Sequence, residues 1–141
     1  MTDMPATKSG VTVGEEIPAL SRTVTQEQIN AYAEASGDFN PIHVNEEFAR
    51  MVGLPGTIAH GMLDMAILTE AVSRWAGGAD RVASIQCRFS KPLLPGDTIT
   101  CTGKVVEVDE EKGIATLEVG ATSDRGDNVL THGRATVRLT D

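Results

Sequence analysis

The sequence predicts an α+β fold in a single domain of residues 1–141, with an antiparallel sheet wrapped around one long buried helix. Three observations predict it. The segment from His60 to Trp75 is apolar on nearly every side, which is typical of a buried helix and not of a surface helix. Four segments with alternating apolar residues follow, separated by turn sequences. A length of 141 residues suits one domain with its own core.

The N-terminal third predicts short elements. The first residues have no apolar period, so we expect a flexible N-terminus over residues 1–10. Residues 19–24 predict a short strand. Thr25 is the first residue of a capping-box motif, which predicts that a helix starts here; the helix is expected to end at Gly37. Asn45 is expected to cap a second, shorter helix.

The C-terminal half predicts four strands. Ile85, Cys87 and Phe89 share one face of the first strand. The corresponding residues of the later strands are Ile99, Cys101 and Val105; Ala115, Leu117 and Val119; and Val129, Ala135, Val137 and Leu139. The turn sequences KPLLPGD, DEEKG and DRGDN lie between the segments, which indicates antiparallel hairpins.

Composition and charge exclude several classes of function. The net charge of −8, without a cluster of Lys and Arg, excludes a general nucleic-acid surface. No run of 18 apolar residues occurs, so no membrane span is predicted. The N-terminus lacks the apolar segment of a signal peptide, and Cys87 and Cys101 form no C-x-x-C motif. These features predict a cytoplasmic protein with reduced cysteines.

Residues 36–43, SGDFNPIH, place an acid and a histidine on a segment rich in turn residues. Pro41 keeps Asn40 out of helical geometry, so we expect a loop and not a helix. A surface turn with an incidental acid and histidine would have the same composition. If the loop is rigid, Asp38 and His43 can hold one water between them, and acid–base catalysis of this kind contributes about 10²- to 10⁴-fold in rate.

Three stretches together resemble the MaoC-like hydratases, the (R)-specific enoyl-CoA hydratases of the hot-dog fold. They are SGDFNPIH at 36–43, AHGML at 59–63 and FSKPLLPGD at 89–97. The resemblance implies reversible addition of water across a trans-2-enoyl thioester, giving a (3R)-3-hydroxyacyl thioester. It also implies an acyl-CoA or acyl-carrier substrate, no cofactor, and a homodimer whose sheets pair edge to edge.

The resemblance further implies which residues act. The catalytic acid and histidine of the family fall at Asp38 and His43, and its oxyanion donor, a backbone N–H, falls at Gly61. Gly61 stands at the predicted start of the buried helix, where amides lack partners and the helix dipole is positive. Glycine has no side chain, so a thioester oxygen can approach closely. One such donor stabilises a transition state by about 3–4 kcal/mol.

The expected substrate-binding residues are Asn40, His60, Thr69, Arg88 and Lys91. A family serine that hydrogen-bonds the catalytic carboxylate falls at Thr69, so another hydroxyl is expected to serve. Arg88 and Lys91, together with Arg81, are expected near the entrance, where they would meet the phosphates of CoA or of a phosphopantetheine arm. His60 has a second interpretation, in which it caps the buried helix or fills space.

Other interpretations of the same residues remain. Asp38, His43 and His60 are the donor set of a two-histidine, one-carboxylate metal site, but no nearby residue completes a familiar ligand spacing, so no metal is predicted. A hot-dog thioesterase would use a carboxylate on the central helix, and Asp64 or Glu70 could occupy that place. A non-catalytic partner subunit of a hydratase is the third alternative.

Overall fold

The computed structural model describes residues 10–139. The N-terminus predicted to be flexible is residues 1–10. Apart from Gly10, it lies outside the described residues. Within the described residues, no helix has the length and apolar character needed to cross a membrane.

Five strands form one antiparallel sheet. They are β1 (Leu20–Thr23), β2 (Val82–Phe89), β3 (Thr98–Asp109), β4 (Ile114–Ser123) and β5 (Asn128–Arg138). Their order across the sheet is β1-β3-β4-β5-β2, so β1 and β2 are the two edges. The long hairpins β3–β4 and β4–β5 form its centre. The predicted inward-facing residues of β3, β4 and β5 are buried, which confirms the alternation in these strands.

Within residues 10–139, four helices accompany the sheet: α1 (Gln26–Ser36), α2 (Pro41–Val44), α3 (Glu46–Met51) and α4 (Gly61–Ala76). A short 3-10 turn, Ala79–Arg81, joins α4 to β2. As predicted, Thr25 caps α1, because its side chain accepts the N–H of Gln28 at 3.1 Å. Gly37 ends α1 with φ of 78°, a conformation that favours glycine. Asn45 caps α3 as predicted.

The expectation of a non-helical SGDFNPIH segment is wrong in its second half. Residues Pro41–Val44 form a single helical turn. Proline is well suited to the first position of a helix, where its missing N–H would have no partner anyway. Asn40 keeps extended geometry, with φ −51° and ψ 128°, and its side chain accepts the N–H of Ile42 at 3.2 Å. Asn40 is therefore the cap of α2, and His43 lies on a helix.

The helix α4 packs against all five strands and forms the centre of the core, which confirms the predicted α+β arrangement of a sheet around a buried helix. The prediction that α4 is buried on nearly every side is wrong at the first turn of the helix, where Met62 is 57% exposed. Phe89, predicted to face inward on β2, is 53% exposed. A register shift between Gln86 and Arg88 in the β2–β5 pairing interrupts the alternation just before Phe89. Both exposed apolar side chains lie at the end of the molecule where α4 begins.

Candidate active site

The Asp38 carboxylate is held on a turn that opens to solvent. The Asp38 N–H donates to the Ser36 hydroxyl at 3.2 Å, and that hydroxyl donates to the Tyr32 carbonyl at 2.7 Å. The N–H of Asn40 donates to Asp38 Oδ1 at 3.2 Å. The Asp38 side chain is 53% exposed, so its second oxygen, Oδ2, remains accessible. Turn geometry therefore fixes this carboxylate at the end of α1.

His43 is buried on α2 and has one fixed tautomer. Its Nδ1 lies 2.8 Å from the carbonyl oxygen of Ile58, which can only accept, so Nδ1 carries the proton and Nε2 is the acceptor of the neutral ring. The Gln26 side chain donates to the His43 carbonyl at 2.9 Å, and Thr57 donates to Gln26 at 2.7 Å. Sequence reasoning did not find these two anchors, because the contacts join segments distant in the chain.

The acceptor atoms of Asp38 and His43 face each other across a short gap. His43 Nε2 lies 4.0 Å from Asp38 Oδ2. This distance is too long for a direct hydrogen bond, but a water about 2.8 Å from both atoms would donate one proton to each. A lone pair of that water would then point away from both protein groups. The structure thus brings Asp38 and His43 together as the sequence predicted.

A pocket of about 310 Å³ lies at the start of α4 and is lined by Asp38 but not by His43. Its lining residues are Tyr32, Ser36, Asp38, His60, Gly61, Met62 and Phe89. The Gly61 amide belongs to the first turn of α4, where N–H groups have no partner within the helix. A Cβ atom on Gly61 would lie 3.2 Å from the Phe89 ring, so a side chain would crowd the pocket. Phe89 and Met62 were missed as site residues, since the sequence pattern placed both in the core.

His60 joins the two halves of the site. It is 2% exposed, and its Nε2 donates to the carbonyl oxygen of Asp38 at 3.0 Å. Its ring stacks on His43, with ring centroids 3.9 Å apart and an interplanar angle of 24°. On the other side it meets Tyr32 at a centroid distance of 4.8 Å. His60 stands at the N-cap position of α4, but its side chain makes no capping hydrogen bond, so the capping half of its structural interpretation is wrong. The other half, that the ring fills space, agrees with its burial.

Asp38, His43 and His60 bring three potential metal ligands within 4.8 Å of one another. Two of the ring nitrogens already face backbone carbonyls. The two rings are stacked, so the lone pairs of their nitrogens lie in two separated, nearly parallel planes, and one ion cannot lie in both planes. These three groups are therefore better arranged for proton transfer than for metal binding.

The other predicted residues do not line the pocket. The Thr69 hydroxyl donates to the Met65 carbonyl at 2.8 Å within α4. Thr69 follows Gly61 by eight residues, about 12 Å along the helix axis. Arg88 and Lys91 are exposed on either side of Phe89, at the same end as the pocket. Arg81 is buried at the opposite end of β2, so its predicted place at the entrance is wrong.

The two carboxylates of α4 lie outside the pocket lining. Glu70 forms ion pairs with Arg22 and, at 2.6 Å, with Arg74, so its expected pairing along the helix is present. Asp64 is only 3% exposed, and burial raises the pKa of its carboxyl to about 7. Within residues 10–139, Asp64 Oδ1 has no hydrogen-bond partner. Burial, with Asp64 nearby, also raises the pKa of the Cys101 thiol to about 12, so this cysteine packs as an inert side chain.

Comparison with known proteins gives a consistent picture. The family model described as MaoC like domain matches residues 8–126. The chain is 32% identical over 122 residues to an (R)-specific enoyl-CoA hydratase of Rhodospirillum rubrum, covering 86% of this chain and 83% of that protein. It is 34% identical to a fatty acid synthase subunit beta of Aspergillus oryzae, where the match covers 92% of this chain but spans only 7% of that subunit.

A solved structure agrees in fold over nearly the whole length. The (R)-hydratase from A. caviae, described as involved in PHA biosynthesis, superposes with a TM-score of 0.84 at 29% identity. The match covers 93% of this chain and 98% of that one. The five-stranded sheet around α4 is therefore the hot-dog arrangement expected from the sequence.

Proposed function

Because the chain belongs to the MaoC-like domain family, we propose that it is a hydro-lyase that reversibly hydrates trans-2-enoyl thioesters to (3R)-3-hydroxyacyl thioesters. The single observation that carries this proposal is the placement of Asp38 and His43, two proton acceptors 4.0 Å apart beside a glycine amide at a helix start. Related proteins named as (R)-specific enoyl-CoA hydratases and as a hydroxyacyl dehydratase support it.

In the proposed reaction, the water between Asp38 and His43 attacks the β-carbon of the enoyl thioester. One of the two side chains accepts a proton from this water as the new C–O bond forms. The electrons of the carbon–carbon double bond move toward the thioester carbonyl, and the α-carbon then takes up a proton from the same pair of groups. Dehydration runs through the same steps in reverse, so no proton or electron is left over.

The Gly61 amide donates a hydrogen bond that stabilises the negative charge developing on the thioester oxygen. First-turn amides of α4 point out of the helix start, and the helix dipole adds positive potential there. Such a donor stabilises the transition state more than the ground state, because full charge forms only on the oxygen of the intermediate. The chemistry proposed here requires neither a metal nor an organic cofactor.

We propose Arg88 and Lys91 as the cations that meet the phosphates of the substrate. Both are exposed and flank Phe89, which lines the pocket. The net charge of −8 disfavours broad docking of an acidic carrier protein, so CoA thioesters are the substrates to test first.

Lys91→Glu is expected to raise KM for a CoA thioester several-fold with little change in kcat. An unchanged KM would show that Lys91 is not part of the binding site.

The two other predicted binding residues have different places. Asn40 caps α2, the helix that carries His43. Thr69 is a candidate for contact with a part of the substrate that lies farther from the reacting carbons.

We also propose a cytoplasmic homodimer. The edge strand β2 is eight residues long, and its outer backbone groups have no strand partner within residues 10–139. A second copy pairing along β2 would satisfy these groups and cover the exposed Phe89 and Met62. Sedimentation velocity is expected to give twice the chain mass, whereas a monomer at micromolar concentration would contradict the homodimer.

The proposed activity is tested with crotonyl-CoA and longer trans-2-enoyl-CoA substrates. We expect enoyl absorbance to fall without release of free thiol, and the isolated product to be the (3R)-hydroxyacyl thioester. Thiol release that tracks substrate loss would instead indicate the thioesterase, for which neither Asp64 nor Glu70 lines the pocket. If activity appears only after a related hydratase chain is added, the result would support the alternative that this protein is a non-catalytic partner subunit.

A further inference from the structure

We propose that His60 is a positioning residue for this reaction, which holds the carboxylate, the histidine base and the oxyanion amide in one arrangement. The inference rests on the function proposed above and goes beyond it, since it assigns a task to a group that does not itself need to exchange a proton. Three contacts of one buried side chain and its backbone carry the argument.

The first contact fixes the residue that bears the carboxylate. His60 Nε2 donates to the Asp38 carbonyl oxygen at 3.0 Å, and the residue is only 2% exposed. The remaining hydrogen bonds of Asp38 are local, to Ser36 and Asn40. The bond from His60 therefore ties the Asp38 turn to the start of α4.

The second contact fixes the plane of the histidine base. A single hydrogen bond from His43 Nδ1 to the Ile58 carbonyl defines the direction of the ring, but leaves rotation about that bond open. The His60 ring lies against the His43 ring at a centroid distance of 3.9 Å and 24° between planes. This stack limits the rotation and so sets where His43 Nε2 lies relative to Asp38 Oδ2.

The third link is the chain itself. His60 directly precedes Gly61, and its carbonyl accepts the N–H groups of Leu63 at 3.0 Å and Asp64 at 3.2 Å. The backbone of His60 therefore begins α4 and orients the Gly61 amide. A displacement of this one residue would move all three parts of the site, and errors of about 1 Å in such a site lower rates by about 10²-fold.

Folding alone does not account for a histidine at this place. With Nε2 as donor, Nδ1 is an acceptor, and it is buried without a hydrogen-bond partner within the described residues. An unsatisfied buried acceptor costs folding free energy that a phenylalanine of similar shape would not. The imidazole is present despite this cost, and its Nε2–H has a task in holding the Asp38 carbonyl.

Three substitutions separate the contributions. His60→Phe keeps an aromatic face against His43 but removes the donor to Asp38. His60→Gln keeps an N–H donor but removes the ring, and His60→Ala removes both. We expect His60→Phe to lower kcat by about 10- to 10²-fold, with KM within about threefold of wild type. Its melting temperature should stay close to that of wild type, because the lost bond to the Asp38 carbonyl and the removed unsatisfied Nδ1 have opposite effects on stability. His60→Gln should recover part of the loss seen in His60→Ala. His132→Gln, at an exposed histidine of β5, is the control and should match wild type.

A His60→Phe protein with wild-type kcat would overturn the proposal, as would an activity loss that only follows the loss of folded protein. An inactive wild type would count against the proposed function and not against this inference. In that case, ¹⁵N relaxation of the Asp38 and Asn40 amides in wild type and His60→Phe decides. Greater backbone mobility in the variant supports the positioning role, and unchanged mobility contradicts it.

Discussion

Replacing Asp38 with asparagine is expected to lower kcat by about 10²- to 10⁴-fold without unfolding the protein. An amide has nearly the shape of the carboxylate, and its oxygen can still accept the N–H of Asn40 as Asp38 Oδ1 does. The side chain is 53% exposed, so little packing is at risk. An amide cannot take a proton from water near neutral pH, and His43 would lose its partner across the 4.0 Å gap.

The measurement is steady-state hydration of crotonyl-CoA by wild type, Asp38→Asn and His43→Gln, with folding checked by circular dichroism. Glu111→Gln, at an exposed acid in the β3–β4 turn, is the matched control and should keep wild-type kcat. Equal activity of wild type and Asp38→Asn would reduce SGDFNPIH to a surface turn. Asp64 would then be the next carboxylate to test.

Local signals explain most of what the sequence predicted correctly. Thr25 and Asn45 cap helices through hydrogen bonds to residues three positions on, so a short stretch of sequence contains the whole interaction. The alternation in β3, β4 and β5 reflects burial on one face of a sheet, which requires no knowledge of the neighbouring strand. The place of the site relied on the resemblance to a family, and the order of the strands was not predicted at all.

The errors had two causes: a local ambiguity between turn and helix, and partners distant in the chain. Asn40 and Pro41 are turn residues and also a good helix cap and first helical residue, so composition cannot separate the two. The register shift of β2 depends on its pairing with β5, and it exposes Phe89 beside Gly61. His60 reaches Asp38 and His43 only because α4 begins against α2, a contact that no local pattern encodes.

Asp64 is a different case, because the sequence placed it correctly on α4 but did not predict its burial. A single acid on an apolar helix usually turns toward water. Here it is 3% exposed, without a hydrogen-bond partner for Oδ1 among residues 10–139, and burial raises the pKa of its carboxyl from 3.8 to about 7. The protein therefore contains a carboxyl group that destabilises the fold when it is ionised.

The sign of the resulting pH dependence follows from proton binding. Between about pH 4 and pH 7 the folded state retains the Asp64 proton and the unfolded state releases it, so this group lowers the free energy of unfolding as pH rises. Its contribution is close to zero below pH 4. Above pH 7 it reaches a constant loss of about 4 kcal/mol, from a shift of about 3 pKa units at about 1.4 kcal/mol each.

Asp64→Asn is therefore expected to be more stable than wild type at pH 8, by up to about 4 kcal/mol, because the amide never ionises. Urea unfolding of both proteins at pH 5 and pH 8 measures this, and the advantage of the variant should grow by roughly 2–3 kcal/mol between the two pH values. Other titrating groups are common to both proteins and cancel in the difference. Glu111→Gln should show no such growth, since its side chain is exposed. A constant difference between Asp64→Asn and wild type at both pH values would mean that the Asp64 carboxyl titrates normally and is solvated in solution.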